Sequence, residues 1–210
     1  MEGRRESPWR RHSRDVAYEN AWITVWHDDV TRPDGGAGVY GVVHFRSVAV
    51  GVVAIDEHDE VTLVGQYRYT LDAWSWEIPE GGVPFGEDPL DGARRELREE
   101  TGIEAADWRE IGRFHLSNSV SDEAAVAYVA TGLTTGVASP DETEALDVTR
   151  VPFDEALAMT LDGRITDALS VLALQRIGLA RLTGEAAGAG ASIPTRQAGR
   201  TLRGGTLPDD

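Results

Sequence analysis

The 210-residue chain contains no cysteine, which excludes disulfide bonds, thiol nucleophiles and zinc sites built from thiolates. No apolar run approaches the roughly 18 residues that a membrane-spanning helix needs, and the N-terminus lacks the apolar core of a signal peptide. These absences favour a soluble, cytoplasmic protein with no membrane partner, whose chemistry is carried out by oxygen and nitrogen groups.

Positive charge is scarce: the formal net charge is −16. Such a chain would repel a nucleic-acid backbone over most of its surface, so we expect no nucleic-acid partner and a small anion, complexed with metal, as ligand. Residues 1–15 are the exception, and we predict a flexible basic arm there; binding of an acidic partner is the alternative. The arginines of this segment are Arg4, Arg5, Arg10, Arg11 and Arg14.

The composition supports one sizeable core, since 41% of the residues are hydrophobic. The C-terminal segment, residues 184–210, is rich in Gly, Ala, Thr and Pro and has little that could form a core. We therefore predict one catalytic domain followed by a flexible tail.

The most informative segment is residues 81–103, GGVPFGEDPLDGARRELREETGI. Asp88 is a suitable N-cap residue, Pro89 suits the first helical position, and Gly102 is a natural terminator, so the pattern predicts a helix between them. A helix here would present several carboxylates on one side.

Those carboxylates are Glu96, Glu99 and Glu100. At about 100° per residue, Glu96 and Glu100 differ by about 40° around the helix, and Glu99 lies about 60° to the other side. Two carboxylates roughly 5 Å apart repel by about 3 kcal/mol at an effective dielectric near 20, so a bound cation would stabilise them. Oxygen ligands favour Mg²⁺, then Mn²⁺. The alternative is a solvated acidic helix face.

The full spacing, from the glycine turn through the REXXEE core to the closing Gly-Ile, resembles the Nudix box at every defined position. The resemblance implies metal-dependent hydrolysis of a nucleoside diphosphate linked to another group, X. It implies that Glu96 and Glu100 are direct metal ligands, that Glu99 supports the reaction or also coordinates, and that the backbone carbonyl of Glu80 is a further ligand.

Four other residues of the motif are predicted to be structural. Glu87 and Arg95 resemble the family's internal salt bridge between loop and helix, and Gly81 and Gly102 are its turn glycines.

Alternating apolar residues predict strands before and after this helix. The predicted strands cover residues 21–30, 39–45, 48–55, 61–67, 74–78, 109–115, 124–131 and 146–151, and the predicted later helices cover residues 153–161 and 165–182. We expect an α/β protein: a Nudix-type α/β/α sandwich with a mixed sheet (residues 48–183), preceded by a small N-terminal β subdomain (residues 16–47).

The flanking sequences GQYRY, EIPEGG and DETEALDV resemble the ADP-ribose pyrophosphatase branch of the Nudix hydrolases. This implies hydrolysis of ADP-ribose, a small nucleotide sugar, to AMP and ribose 5-phosphate, and a homodimer formed through the N-terminal subdomain. The passage at residues 117–123 keeps Ser-Asp-Glu but lacks the proline typical of ADP-ribose-specific members. Other nucleotide sugars, of the GDP-mannose or UDP-glucose type, are therefore alternatives, and a non-catalytic nucleotide sensor is a further one.

The same branch implies roles outside the box. Arg68 resembles its diphosphate-binding arginine, and a guanidinium can hold phosphate oxygens through two parallel hydrogen bonds. In the acidic loop, Glu142 corresponds to the base that activates water, and Glu144 to an extra metal ligand.

Four tryptophans, Trp22, Trp26, Trp74 and Trp76, offer flat faces on which a base could stack. We select Trp74 and Trp76, which directly precede the box, as substrate-binding candidates. Tryptophans at alternating strand positions also commonly pack in a core or a dimer interface, and that alternative stays open.

Overall fold

The computed structural model describes residues 6–138 and 145–184. The strands are β1 (Arg10–Glu19), β2 (Ile23–Thr31), β3 (Ala37–Phe45), β4 (Ser47–Ala54), β5 (Glu60–Arg68), β6 (Ala73–Glu77), β7 (Glu80–Pro84), β8 (Ile103–His115), β9 (Ala124–Thr135) and β10 (Asp147–Pro152). The helices are α1 (Pro89–Thr101), α2 (Phe153–Asp162) and α3 (Ala168–Thr183).

The N-terminal strands β1, β2 and β3 form an antiparallel sheet of their own. The prediction of a flexible arm is wrong for residues 10–15, because β1 pairs with β2 along its length. Arg14 holds it in place: the guanidinium donates two hydrogen bonds of 2.7 and 2.6 Å to Asp28 and lies 3.6 Å above the centre of the Trp26 ring. Of the rest of the predicted arm and tail, residues 1–5 and 185–210 lie outside the described residues.

A four-stranded sheet in the order β7-β4-β9-β8 forms the centre of the molecule. Strands β4 and β9 run parallel and their neighbours antiparallel, so the sheet is mixed. Alternate residues of β4 separate two cores: Val50 and Val52 pack with α1 on one face, and Val53 packs with α2 and α3 on the other. The second sheet, β10-β5-β6, contributes to the α2–α3 core. The predicted α/β sandwich, with its preceding β subdomain, is confirmed.

Helix α1 begins and ends at the predicted residues. The Asp88 carboxylate accepts a 2.9 Å hydrogen bond from the Leu90 N–H, and Gly102 adopts the left-handed conformation, with φ of 71°. Ala93 and Leu97 are fully buried against the four-stranded sheet. Glu100 is buried on the same helix as well, whereas Glu96 and Glu99 are partly exposed.

Gly102 is required for a second reason, which gives a testable prediction. A Cβ atom there would lie 2.6 Å from the Ala138 backbone nitrogen. Gly163, at the end of α2, has a similar φ of 85°, but no atom lies within 4 Å of the position that its Cβ would take. We expect Gly102→Ala to lower the free energy of unfolding by about 2–4 kcal/mol, and Gly163→Ala by about 1 kcal/mol from backbone strain alone. Urea denaturation measures both; equal losses would contradict the role assigned to the backbone contact.

The N-terminal sheet is joined to the Nudix-type domain through residues 117–123. The Val43 N–H donates to the Val120 carbonyl at 2.9 Å. His44 Nδ1 lies 2.6 Å from an oxygen of Asp122, whose other oxygen accepts from the backbone N–H of residue 45 at 3.1 Å. The passage that lacks the expected proline therefore joins strand β3 to the α/β sandwich.

Candidate active site

A cavity of about 730 Å³ lies where the N-terminal sheet, β4 to β7, the end of α1 and the start of α3 meet. Gly81 and Glu100 of the motif and Glu80, which directly precedes it, line the cavity together with Arg68. The structure therefore brings part of the predicted metal site and the predicted diphosphate-binding arginine to one cavity.

Glu100 and Glu96 are held close to strand β7. Glu100 is buried, with 2% of its surface exposed, and its carboxylate accepts a 3.1 Å hydrogen bond from the Glu80 N–H. The Glu96 carboxylate lies directly on Gly81: a Cβ atom at that glycine would be 2.2 Å from the carboxyl carbon. Only a glycine allows this approach, which explains the motif's first position.

Arg95 joins the turn to the helix. Its Nε lies 3.8 Å from a Glu87 oxygen, the ion pair predicted from the sequence. The same guanidinium contacts two of the expected metal-site glutamates, Glu96 at 2.7 Å and Glu99 at 3.6 Å. Arg95 thus also compensates the repulsion between these carboxylates.

The donor atoms fit a hard divalent cation. Glu96, Glu99 and Glu100 offer carboxylate oxygens from one helix, and Glu80 adds an Oε2 atom that is buried with no hydrogen-bond partner among the described residues. Within residues 6–138 and 145–184, however, no three acidic or histidine side chains already surround a common point. Because Arg95 contacts two of the glutamates, coordination requires their side chains to rotate.

The cavity is more acidic than the motif alone indicated. Glu77, Glu123 and Asp167 line it as well. Burial, followed by the negative charges of Asp167 and Glu77, raises the pKa of Glu80 well above its ordinary value. Burial, followed by the charge of Asp167, also raises the pKa of Glu123. A cationic or metal-complexed ligand suits this wall.

Glu77 and Asp167 were missed from the sequence. Two signals were available for Glu77: it is an acid inside the strand segment WSWEI, where a charge is unusual, and it is the first residue of the EIPEGG sequence. Asp167 caps α3, accepting a 2.7 Å hydrogen bond from the Ser170 N–H, and carried no signal beyond capping.

Arg68 crosses the cavity wall between two carboxylates. Its Nε donates to Glu77 at 2.9 Å, its Nη2 donates to the same carboxylate, and Nη2 also donates to Glu80 Oε1 at 2.8 Å. Burial opposes its charge, but the hydrogen bonds and charge of Glu77 raise its pKa above the ordinary value. Arg68 therefore remains a cation in the cavity.

Trp74 and Trp76 lie on the same face of strand β6, and this face does not border the cavity. Trp74 and Trp76 lie on either side of Gly65, so a Cβ atom there would be 2.8 Å from both rings. Ser75 and Glu77 alternate with them and line the cavity, whereas Trp74 and Trp76 do not. Trp22 does line it, with 74% of its surface exposed.

Glu142 and Glu144, the predicted base and extra ligand, lie outside the described residues.

Comparison with known families decides the relationship. Residues 45–171 match the NUDIX domain family. The chain belongs to the NUDIX family. Residues 9–43 match a second family, the nucleoside diphosphate sugar hydrolase N-terminal domain. The protein is thus a Nudix hydrolase of the ADP-ribose pyrophosphatase-like type, and its N-terminal sheet corresponds to the residues that match the second family.

Relatives of this Nudix hydrolase support the same grouping. The chain is 38% identical over 154 residues to a methanol dehydrogenase activator of Bacillus methanolicus, covering 72% of this chain and 83% of the relative. It is 34% identical over 163 residues to an ADP-ribose pyrophosphatase of Mycobacterium tuberculosis, covering 76% and 78%. A crystal structure of an ADP compounds hydrolase superposes with a TM-score of 0.74 at 22% identity, covering 88% of this chain and 100% of the other, which shows the shared fold.

Among the described helices of this Nudix hydrolase, none is both long and apolar enough to cross a membrane.

Proposed function

We propose that this Nudix hydrolase cleaves the pyrophosphate bond of ADP-ribose to AMP and ribose 5-phosphate, using Mg²⁺ or Mn²⁺, as a cytoplasmic homodimer. The main support is that Glu100 of the motif and the preceding Glu80 line one cavity with Arg68. Carboxylates able to hold a cation thus face a guanidinium able to hold a diphosphate.

The reaction is a displacement by water at phosphorus. The side chains of Glu96, Glu99 and Glu100 and the Glu80 carbonyl would hold the divalent ions, which supply charge neutralisation and a more acidic bound water. Arg68 orients the diphosphate, and Glu142 accepts the proton of the attacking water. The oxygen of water forms the new P–O bond, and the bridging oxygen leaves with the other phosphate.

The choice of ADP-ribose is supported by the names of relatives and by the flanking sequences. An ADP-ribose pyrophosphatase of Bacillus subtilis is 30% identical over 169 residues, covering 80% of this chain and 91% of that protein. Because residues 117–123 lack the expected proline, nucleotide sugars of the GDP-mannose or UDP-glucose type are the alternative substrates. A nucleotide sensor is a weaker alternative, because every defined position of the motif is retained.

A substrate panel tests this proposal. Purified protein is incubated with ADP-ribose, GDP-mannose, UDP-glucose, NADH, dinucleoside polyphosphates or nucleoside triphosphates, with Mg²⁺ or Mn²⁺ or with EDTA. We expect AMP and ribose 5-phosphate from ADP-ribose, no products in EDTA, and slower cleavage of the other compounds. Preferred cleavage of another nucleotide sugar would replace ADP-ribose, and no cleavage of any compound would reject the hydrolase.

The roles of Glu142 and Glu144 give a paired prediction. Glu142→Gln should reduce kcat by about 10²–10⁴-fold, because general base catalysis contributes that much. It should also abolish the part of the pH–rate profile that reports deprotonation of the general base. Glu144→Gln should instead raise the metal concentration needed for half-maximal rate. An unchanged turnover number in Glu142→Gln would reject its assignment as the base.

The position of Trp22 predicts a contact with the base of the substrate. An aromatic face at the rim of the cavity can stack on adenine, a contact worth about 1–3 kcal/mol per base in related settings. We expect Trp22→Ala to raise KM for ADP-ribose about tenfold or more, with a smaller effect on kcat. Trp74→Ala is the matched control and should change KM less than Trp22→Ala does. A larger effect on KM from Trp74→Ala would indicate that Trp74, not Trp22, contacts the substrate.

The homodimer is supported by apolar side chains that are exposed on the N-terminal sheet. Val16, Tyr18 and Val39 each have more than half of their surface exposed. Light scattering at micromolar concentration should give twice the mass of the chain; the mass of a monomer would count against the dimer.

A further inference from the structure

Arg68 has two edges that can each bind an oxyanion in a bidentate manner. A guanidinium carries one N–H on Nε and two on each terminal nitrogen, so one edge is formed by Nε and Nη2 and the other by Nη1 and Nη2. Glu77 occupies the first edge, through Nε at 2.9 Å and through Nη2. Because Glu77 is buried, with 2% of its surface exposed, this edge is committed to the protein.

The second edge is the one left for a ligand, and Glu80 takes half of it. The remaining N–H of Nη2 donates to Glu80 Oε1 at 2.8 Å, while Nη1 has no hydrogen-bond partner among the described residues. Arg68 keeps 35% of its side-chain surface exposed, and both Arg68 and Glu80 line the cavity. A phosphate that binds both terminal nitrogens must displace the Glu80 carboxylate.

We propose that the side chain of Glu80 is a specificity-determining residue, which competes with the substrate diphosphate for Arg68 and so sets the affinity of the cavity for phosphate. The proposal deepens the proposed function and rests on it for the identity of the substrate. It is separate from the role of the Glu80 backbone carbonyl as a metal ligand, which a substitution of the side chain retains.

The competition has a direct energetic meaning. Charge-assisted, bidentate guanidinium–phosphate contacts are among the stronger hydrogen bonds in proteins, whereas a single contact is weaker and less directional. With Glu80 in place, an incoming phosphate meets one free terminal nitrogen, Nη1, while the Glu80 carboxyl group occupies the other. Ligands that bind through Arg68 alone are therefore held weakly, and a good substrate needs further contacts. The need to displace the Glu80 side chain thus discriminates against ligands that lack those contacts.

The probe is inorganic pyrophosphate, titrated calorimetrically in EDTA so that no metal contributes. We expect Glu80→Ala to bind pyrophosphate about tenfold more tightly than the wild type, because the whole second edge becomes available. Glu80→Gln keeps an oxygen that can accept the hydrogen bond from Arg68 but holds the guanidinium less strongly than a carboxylate would, so it should give an intermediate affinity. It also provides the test if Glu80→Ala does not fold, as judged by circular dichroism.

Two controls separate this competition from a general loss of negative charge. Glu123→Gln removes a carboxylate from the same cavity, where no hydrogen bond to Arg68 is present, and should change the affinity by less than about threefold. The second control is made in an Arg68→Lys variant, which keeps the positive charge but lacks the bidentate edge. There, Glu80→Ala should raise the affinity for pyrophosphate no more than Glu123→Gln does.

The proposal is overturned if Glu80→Ala binds pyrophosphate no more tightly than the wild type, if no variant binds it, or if the full gain persists with Arg68→Lys. Turnover of ADP-ribose is measured in parallel. If the wild type does not cleave ADP-ribose while the gain in pyrophosphate affinity is observed, the proposed substrate fails and the competition at Arg68 stands. The reverse result rejects the competition and leaves the activity intact.

Discussion

Glu100→Gln is expected to reduce kcat on the order of 10³-fold, because a metal ligand that stabilises charge by several kcal/mol is lost and each 1.36 kcal/mol is a factor of ten. The fold should be retained. Glu100 is buried and accepts a hydrogen bond from the Glu80 N–H, and the amide oxygen of glutamine can accept the same bond. Initial rates over a series of Mg²⁺ concentrations, together with a thermal melt, measure both parts of the prediction.

Glu104→Gln is the matched control for this variant. Glu104 follows α1 closely in sequence but is exposed and does not line the cavity. The same chemical change there should leave kcat within about twofold of the wild type, as expected for an exposed position away from the reacting groups. Equal rates for Glu100→Gln and Glu104→Gln would contradict the assignment of Glu100 as a metal ligand.

Gly81→Ala should also lower the activity strongly. Its Cβ atom would lie 2.2 Å from the carboxyl carbon of Glu96 and 2.4 and 2.6 Å from its two oxygens, so the Glu96 side chain must move away. We expect activity to fall about 10²-fold, since a displacement of about 1 Å in a catalytic site can have that effect. The obstructing atoms are the end of a flexible side chain, so the free energy of unfolding should change little.

The adjacent Gly82→Ala substitution makes this prediction specific. A Cβ atom at Gly82 would lie 3.1 Å from the Ser47 hydroxyl and would not approach Glu96. Its rate should stay within about threefold of the wild type, because a contact of this length requires only a small adjustment. If both variants lost activity equally, or if Gly81→Ala were fully active, the close approach of Glu96 to Gly81 would have no catalytic meaning.

The parts of the fold that the sequence predicted are those with strong local signals. Asp88, Pro89 and Gly102 mark the ends of α1 through capping chemistry, which depends on a few neighbouring residues. Strand β1 was missed because its sequence, RRHSRDVAYE, is largely exposed and has no alternation of apolar and polar residues. Its position depends on tertiary contacts, above all Arg14 with Asp28.

The same distinction applies to the active site. Glu96 and Glu100 were identifiable because the motif lies in one continuous segment. Glu77 reaches the cavity from a strand, and Asp167 reaches it from the start of a helix that is distant in sequence. Their spacing along the chain does not predict that they lie in the same cavity. For the tryptophans, the sequence predicts only that alternate residues of β6 face opposite ways; the structure shows which face borders the cavity, and places Trp22 there instead.

A crystal structure with Mg²⁺ and the non-hydrolysable α,β-methylene analogue of ADP-ribose tests the proposed metal and diphosphate site directly. We predict metal ions about 2.0–2.1 Å from carboxylate oxygens of Glu96 and Glu100 and from the Glu80 carbonyl, with the diphosphate analogue between these ions and Arg68. An active enzyme whose metal and diphosphate analogue lie elsewhere, with these oxygens making no metal contact, would contradict the central claim.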